Sequence, residues 1–172
     1  PIVLGPSVYP HLDIEITRPY EVGTDLVADA VAAWDFFKAP CIVVDFGTAL
    51  TFTVVNAQAA LEGVAIVPGL GTAVSSLSRD TAQLPHVRLS APPQAFGRNT
   101  IEAIQAGIVH GYTGLVQHVV ENIKKDLGTK AKIVATGGQS SIISPLCSVF
   151  DRVDLHLTLR GLRLVVDLVP RN

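Results

Sequence analysis

The chain has 172 residues, of which 48% are hydrophobic and 16% are charged, and its formal net charge is -2. This composition is typical of a globular protein with a sizeable core, and it excludes a disordered chain. The scattered lysines and arginines indicate no nucleic-acid-binding surface, and no run of about eighteen apolar residues predicts a membrane span. We therefore expect a small-molecule partner, and neither nucleic acid nor a membrane.

The first predicted elements are two short strands and a helix. Apolar residues at 2–4 and an alternating pattern at 12–17 predict strands. Apolar side chains then recur every three or four residues from Leu26 to Phe37, which predicts an amphipathic helix that Pro40 ends. Acidic residues at 25 and 29 lie near its start, where the helix dipole favours negative charge.

Three strands follow at 41–46, 49–55 and 60–67, and their short connections predict an antiparallel meander. Asp45 lies near the end of the first of them, two residues before Gly47, which forms the tip of a hairpin with Thr48. A carboxylate is costly to bury unless it is paired, and a glycine beside a hydroxyl lets backbone amides approach an anion. The pattern indicates either a metal–nucleotide site or a polar turn between two core strands.

Two helices are predicted in the middle of the chain. The first follows Pro68-Gly69-Leu70-Gly71, with Thr72 as its cap, and runs towards Leu84. After an irregular stretch at 85–93, Asn99 or Thr100 caps a long helix that Gly128 ends. Glycines at 107, 111 and 114 interrupt this helix, and each costs about 1 kcal/mol relative to alanine. Their spacing predicts close packing against another helix or a substrate.

A second strand–glycine–helix unit lies near the C-terminus. An apolar strand at 132–136 leads through Gly137 and Gly138 into a helix that begins near Ser140. A short strand at 153–155 and an amphipathic helix at 159–168 complete the prediction. The chain thus contains two turns suited to phosphate or nucleotide.

Cysteine and histidine usage indicates the compartment and the type of chemistry. Cys41 falls in a predicted buried strand and Cys147 at the end of a predicted helix, without the spacing of a disulfide framework. We expect both thiols to be reduced and the protein to be cytoplasmic. Only His110 and His118 approach a metal-ligand spacing, so we expect no transition-metal site. The chain opens at Pro1 without an initiator methionine or a signal-peptide pattern, and we expect it to be part of a longer protein.

Four motifs in a fixed order resemble the type III pantothenate kinase family, and the resemblance covers nearly the whole chain. They are Gly23-Thr24-Asp25, Asp45-Phe46-Gly47-Thr48-Ala49, Gly97-Arg98-Asn99-Thr100 and Ala135-Thr136-Gly137-Gly138. Each motif alone is weak evidence, whereas the ordered set is fairly specific. The resemblance implies a kinase that phosphorylates pantothenate with ATP at the start of coenzyme A biosynthesis, with magnesium and a monovalent cation, potassium or ammonium, as cofactors.

The family also implies a fold, namely the ribonuclease H-like fold of the actin, Hsp70 and sugar-kinase (ASKHA) superfamily. This chain resembles mostly the C-terminal half of that fold. Residues 1–38 would be a remnant of the N-terminal half with a connecting helix, and residues 39–172 the C-terminal domain. The Asp-x-Gly-Asn-Thr phosphate loop of the N-terminal half has no match here. Without it, we expect the chain alone to bind ATP poorly and to turn over little.

The resemblance assigns a role to each matching residue. Asp25 would be the catalytic proton acceptor, and Asp45 the ligand of the monovalent cation. Pantothenate would contact residues near the helix start and one residue of the long helix, namely Gly23, Thr24, Asp25, Leu26 and Thr100. ATP would contact Gly47, Thr48, Gly137 and Gly138. Each residue also has a purely structural interpretation. Asp25 would be an acidic residue stabilised by the helix dipole, Thr100 would be an ordinary N-cap, and the glycines would form tight turns.

Two positions depart from the family pattern. Leu26 replaces an arginine, so no guanidinium is available there, and Ile16 replaces an aromatic residue. These departures, together with the missing phosphate loop, favour a second hypothesis, a non-catalytic relative such as the Bvg accessory factor group, with a regulatory or binding role. A phosphate-binding domain with a different acceptor is a third hypothesis, but it leaves the ordered spacing of the motifs unexplained.

The long helix with its three glycines resembles the subunit interface of the family. Apolar residues beside the glycines, Ile108, Leu115 and Val119, would otherwise form an exposed apolar face. We therefore expect a homodimer. The alternative is that this face packs within a single subunit.

Overall fold

The computed structural model describes residues 2–81 and 84–170. Within these ranges, helices lie on both faces of one mixed six-stranded sheet. The strands are β1 (Glu15–Ile16), β2 (Cys41–Phe46), β3 (Ala49–Val55), β4 (Ala60–Pro68), β5 (Lys132–Thr136) and β6 (Arg152–Val153). The helices are α1 (Thr24–Phe37), α2 (Leu70–Asp80), α3 (Thr100–Leu127), α4 (Ser140–Ile143) and α5 (Leu157–Leu168).

The sheet is a meander extended by parallel strands, in the order β1-β4-β3-β2-β5-β6. Strands β2, β3 and β4 pair antiparallel as predicted, whereas β1, β5 and β6 join in parallel. In this register Asp45 lies opposite Thr51 of β3 and Thr136 of β5. The carboxyl ends of β2 and β5 therefore meet at one edge, and the turns that follow them are neighbours.

Alternation along β2 divides the core into two layers. Cys41 and Val43 pack with α1 and α5 on one face, while Ile42 and Val44 pack with α3 and α4 on the other. Successive side chains of a strand point to opposite faces, so Asp45 belongs to the face that α1 covers. None of the helices in the described part of the chain has the length and hydropathy needed to cross a bilayer.

The ends of the two main helices follow the predicted chemistry. The Asn99 side chain accepts a hydrogen bond from the Glu102 amide at 3.0 Å, which caps α3. Gly128 ends α3 in the left-handed conformation, at φ 62°. Helix α1 ends at Phe37, and its C-cap Lys38 is also left-handed, two residues before Pro40.

Several predicted elements are shorter or shifted. Residues 2–4 form no strand, and Ile2 and Val3 are exposed with no neighbouring strand to pair with them. The strand predicted at 12–17 is reduced to β1, and the helix predicted near Ser140 is a single turn. The last strand covers 152–153 rather than 153–155, and α5 starts two residues earlier than predicted.

The predicted cap of α2 is wrong. The helix starts at Leu70 with Gly69 as its N-cap, and the hydroxyl of Thr72 donates instead to the Thr48 carbonyl at 2.7 Å. A Cβ at Gly69 would collide with the carbonyls of Gly47 and Thr48, so glycine permits this close approach. Helix α2 ends at Asp80, and Ala82, predicted to belong to it, lies outside the described residues.

The three glycines of α3 do not pack within this chain. Gly107, Gly111 and Gly114 are exposed, and a Cβ at any of them would meet no atom of another element within 4 Å. The opposite side of α3, which includes Val109 and Val116, is fully buried. Within the described part of a single chain, the glycines therefore contact no other helix, and the predicted close packing against a helix or a substrate stays a prediction. The exposed apolar face predicted beside them is wrong, because Ile108, Leu115 and Val119 are partly buried against the core that α3 covers.

Helix α5 crosses α1 at a point that only glycine allows. A Cβ at Gly161 would collide with the backbone carbonyl of Ala28. We expect Gly161→Ala to lower the free energy of unfolding by about 3 kcal/mol or more, because the two helices must separate to admit a methyl group. Urea unfolding measures this change. Gly63→Ala is the control, since a Cβ there meets open space, and an equal loss in both variants would contradict the close contact.

Candidate functional site

The two glycine turns lie side by side at the carboxyl ends of β2 and β5. Gly137 has a φ of 86°, and a Cβ there would collide with the carboxylate of Asp45 and the backbone of Phe46. Glycine is therefore required at 137 both for its conformation and for the close approach. The amide of Gln139 reaches the Phe46 carbonyl at 3.4 Å, which joins the second turn to the end of β2.

The start of α2 holds both turns in place. The amide of Gly69 and the hydroxyl of Thr72 both donate to the Thr48 carbonyl, at 3.0 Å and 2.7 Å. The amide of Gly71 donates to the side-chain oxygen of Gln139 at 3.2 Å. Backbone and side-chain hydrogen bonds therefore link α2 to the turn after β2 and to the turn after β5.

A groove of about 560 Å³ opens between these elements. Its lining residues come from both turns, from one side of α2 and from the segment after it: Phe46, Gly47, Thr48, Gly71, Thr72, Ser75, Arg79, His86, Gly138 and Gln139. Thr48 and Gly138 are exposed, so a ligand in the groove can reach the Thr48 hydroxyl and the backbone of both turns. Five of these residues were not predicted to belong to a site, because their place in the groove depends on where α2 packs. They are Thr72, Ser75, Arg79, His86 and Gln139.

Asp25 and Asp45 place two carboxylates near this end of the sheet. Asp25 is exposed in the first turn of α1, with its carboxylate folded over Gly23, where a Cβ would lie 2.5 Å from Oδ1. Asp45 is half-buried, and burial, followed by the negative charge of Asp25, raises the pKa of its carboxyl. No basic side chain within residues 2–81 and 84–170 forms an ion pair with either of them.

Residues 1–122 match the family model described as type III pantothenate kinase. The chain belongs to this family. Relatives named type III pantothenate kinase include one from Treponema pallidum (strain Nichols), 46% identical over 174 residues that cover 100% of this chain and 63% of the relative. Another, from Moorella thermoacetica, is 42% identical and covers 97% of this chain and 66% of the relative. The chain thus spans about two thirds of the length of these relatives.

A solved structure is similar in fold. It is a conserved Campylobacter jejuni protein described as a Baf family transcriptional activator, with a TM-score of 0.58 and 21% sequence identity. The match covers 93% of this chain and 70% of that protein. At this level of identity the likeness concerns the fold alone. The predicted family membership is thus confirmed by sequence, and a mixed α/β architecture by structure.

The two departures from the pantothenate kinase pattern lie together. Ile16 and Leu26 line one groove of about 290 Å³, beside the exposed charged residues Arg18 and Glu21, which form an ion pair at 3.4 Å. Sequence alone placed these two departures ten residues apart. The groove has an apolar wall where the family pattern has an arginine and an aromatic side chain.

Thr100 is not brought into either groove. It is exposed at the start of α3, on the sheet face opposite α1 and Asp25. Gly23 and Thr24 are exposed beside Asp25, where the predicted substrate contacts would need them. Within one chain, the predicted substrate residues are therefore divided between the start of α1 and the start of α3.

Asp29, predicted only as an acidic residue near the start of α1, is a buried carboxyl. It follows Asp25 by one helical turn but is fully buried, among the alanines of α1. Its Oδ1 accepts a hydrogen bond from Thr158 of α5 at 2.7 Å, whereas Oδ2 has no partner. The pKa of Asp29 is raised to about 7, mainly by burial and to a smaller extent by the negative charges of Asp45 and Asp25, while the Thr158 hydrogen bond acts in the opposite direction.

The raised pKa of Asp29 makes the stability of the fold depend on pH. In the unfolded chain Asp29 ionises near pH 4, so ionisation opposes folding progressively from pH 4 to about 7, where the penalty is complete. We expect Asp29→Asn, which cannot ionise, to gain up to about 4 kcal/mol of unfolding free energy relative to wild type between pH 4 and 8. Urea unfolding across this range measures the gain.

The matched control for this prediction is Asp35→Asn, on the exposed side of the same helix. Its effect on the free energy of unfolding should stay within about 0.5 kcal/mol at every pH. A difference between Asp29→Asn and wild type that does not change with pH would contradict a protonated Asp29.

Proposed function

We propose that this chain provides the catalytic carboxylate and one phosphate-binding side of a type III pantothenate kinase. In the complete polypeptide it would transfer the γ-phosphate of ATP to pantothenate, giving 4'-phosphopantothenate for coenzyme A biosynthesis. The observation that carries this proposal is the groove in which Thr48 and Gly138 meet beside Asp45. Family membership supplies the reaction, and the groove supplies a place for the nucleotide.

The same proposal includes the fold family and the position of the domain boundary. A meander continued by two parallel strands beyond β2 is compatible with the ribonuclease H-like fold of the ASKHA superfamily. We place the division near residue 38, with residues 1–38 as the remnant of the N-terminal half and 39–172 as the C-terminal domain. Helix α1 then acts as the connecting helix, although it packs on α5 in the same core.

Asp25 is the proposed proton acceptor. It is an exposed carboxylate without a cationic partner in the described residues, so it can accept a proton from a hydroxyl. The hydroxyl oxygen of pantothenate would bond to the γ-phosphorus as Asp25 takes its proton. The bond from the γ-phosphorus to the oxygen of ADP would break, and ADP would leave. Gly23, Thr24, Leu26 and Thr100 would position the substrate.

The nucleotide and the cations complete the proposed site. Gly47 and Thr48 would contact phosphate, and Gly137 and Gly138 would admit the adenosine. Asp45 fits a cation ligand, because its half-buried carboxylate has no basic partner among the described residues. Potassium or ammonium held there, together with magnesium on ATP, would neutralise phosphate charge.

A second candidate function is a regulatory or binding protein of the Bvg accessory factor type. It is favoured by the groove in which Leu26 and Ile16 replace the charged and aromatic contacts of the family pattern. A protein of this kind could keep the nucleotide groove and still fail to hold pantothenate. The two candidates differ in whether product forms.

The kinase proposal is tested with Asp25→Asn in the complete polypeptide. We expect wild type to phosphorylate pantothenate with ATP, magnesium and potassium, and the variant to lose about 100-fold or more in kcat, because an amide cannot accept the proton. Asp35→Asn serves as the matched control and should keep wild-type kcat. Equal, negligible product from wild type and Asp25→Asn would overturn the kinase and favour the second candidate.

We also propose that the chain forms a homodimer through the outward side of α3. Three exposed glycines in one helix support this proposal. Each costs about 1 kcal/mol relative to alanine in a helix, and a partner helix that packs closely against them would offset this cost. A partner on this side would also bring the Thr100 region of one chain near another surface. Dimer formation would then explain both the glycines and the isolated Thr100.

Gly111→Ala distinguishes a dimer from a monomer by the sign of its effect. In a monomer the variant gains about 1 kcal/mol of unfolding free energy, because alanine favours the helix. In the proposed dimer we expect it to weaken association, since the added methyl group separates the helices. Light scattering at micromolar concentration and urea unfolding measure both effects. A wild-type monomer mass, with a stabilised Gly111→Ala, would exclude the dimer.

A further inference from the structure

One side of α2 forms the outer wall of the nucleotide groove. Thr72, Ser75 and Arg79 all line the groove, and their spacing of three and four residues places them on one face of the helix. The hydroxyl of Thr72 is fixed to the Thr48 carbonyl. Helix α2 therefore runs outward from the turn after β2, and with a rise of 1.5 Å per residue Arg79 lies about 10 Å further along the helix than Thr72.

The lining of this groove favours an anion. It contains no aspartate or glutamate, although the chain as a whole has more acidic than basic residues. Arg79 is the permanently charged residue of the lining, and the imidazole of His86 lies in the same groove. Arg79 and His86 are therefore the lining residues that can attract an anionic ligand.

The guanidinium of Arg79 can be released for a ligand at little cost. It donates to the carboxylate of Asp80 at 2.9 Å and 3.2 Å, and the side chains of the pair are 74% and 61% exposed. Because the pair is exposed, water and salt screen its attraction, and a phosphate group, which carries more negative charge than a carboxylate, can compete with Asp80 for the guanidinium. The Ser75 hydroxyl, one turn earlier on the same face, takes part in no hydrogen bond among the described residues.

We propose that Arg79 and Ser75 bind the phosphate chain of the nucleotide, with Arg79 exchanging the Asp80 carboxylate for a phosphate oxygen. This inference rests on the proposed function for the identity of the ligand. The separation of about 10 Å from Thr72 to Arg79 along α2 requires an elongated anion if both ends of the wall are to touch it. A nucleoside triphosphate has that length, and inorganic phosphate does not. Arginine also suits phosphate because its planar fork can donate two parallel hydrogen bonds.

The test is nucleotide binding to the complete polypeptide, measured by calorimetry with ATP, AMP, adenosine and inorganic phosphate. We expect Arg79→Gln to weaken ATP binding about 10-fold, Arg79→Lys about 3-fold and Ser75→Ala about 2-fold. Adenosine binding should be unchanged in all three. Asp80→Asn should strengthen ATP binding about 2-fold, because it removes the competing carboxylate. Arg163→Gln, an exposed arginine of α5 on the opposite side of the sheet, is the control for net charge.

The outcomes separate this inference from the kinase proposal. If Arg79→Gln and Arg163→Gln weaken ATP binding equally, or if Arg79→Gln weakens adenosine binding as much as ATP binding, the phosphate-binding wall is wrong even when pantothenate is phosphorylated. If wild type forms no phosphopantothenate but binds ATP with the expected dependence on Arg79, the kinase proposal fails and phosphate binding by α2 is supported. Wild type that binds no ATP overturns the inference.

Discussion

The parallel pairing of β2 with β5 is the constraint on which the candidate site depends. It aligns Asp45 with Thr136 and brings two glycine turns, separated by about ninety residues of sequence, to the same edge of the sheet. Gly137 then packs directly on the Asp45 carboxylate, which leaves no space for a side chain there. The hydrogen bonds from the start of α2 depend on the same alignment, because they reach one turn through Thr72 and the other through Gly71. A shift of one residue between β2 and β5 would separate these contacts and remove the groove.

Local chemistry explains which parts of the fold could be predicted from sequence. The meander follows from β-branched runs and short turns, and both ends of α3 follow from Asn99 and Gly128. The hairpin tip at Gly47 and Thr48 was predicted for the same reason, since the signal lies within a few residues. The weakest predictions concerned 2–4 and 12–17, where apolar residues have few or no strand partners in the structure.

Long-range packing explains what could not be predicted. A strand such as β2, buried on both faces, does not indicate which distant strand will lie beside it, so the neighbouring turn at Gly137 could be suspected only through the family resemblance. The wall formed by α2 depends on its attachment to Gln139. The burial of Asp29 depends on α5, more than a hundred residues away, although an aspartate among alanines one turn after Asp25 is a pattern that could have indicated it.

The crossing of α1 and α5 also constrains how the chain can fold. Helix α1 is synthesised well before α5, but the surfaces that cover it, with Gly161 against Ala28 and Thr158 against Asp29, belong to α5. A contact between residues this far apart in sequence closes late, because the loop entropy must be overcome first. On the ribosome, α1 would therefore expose its apolar side until translation reaches α5, and this interval is when the nascent chain would most need protection from aggregation.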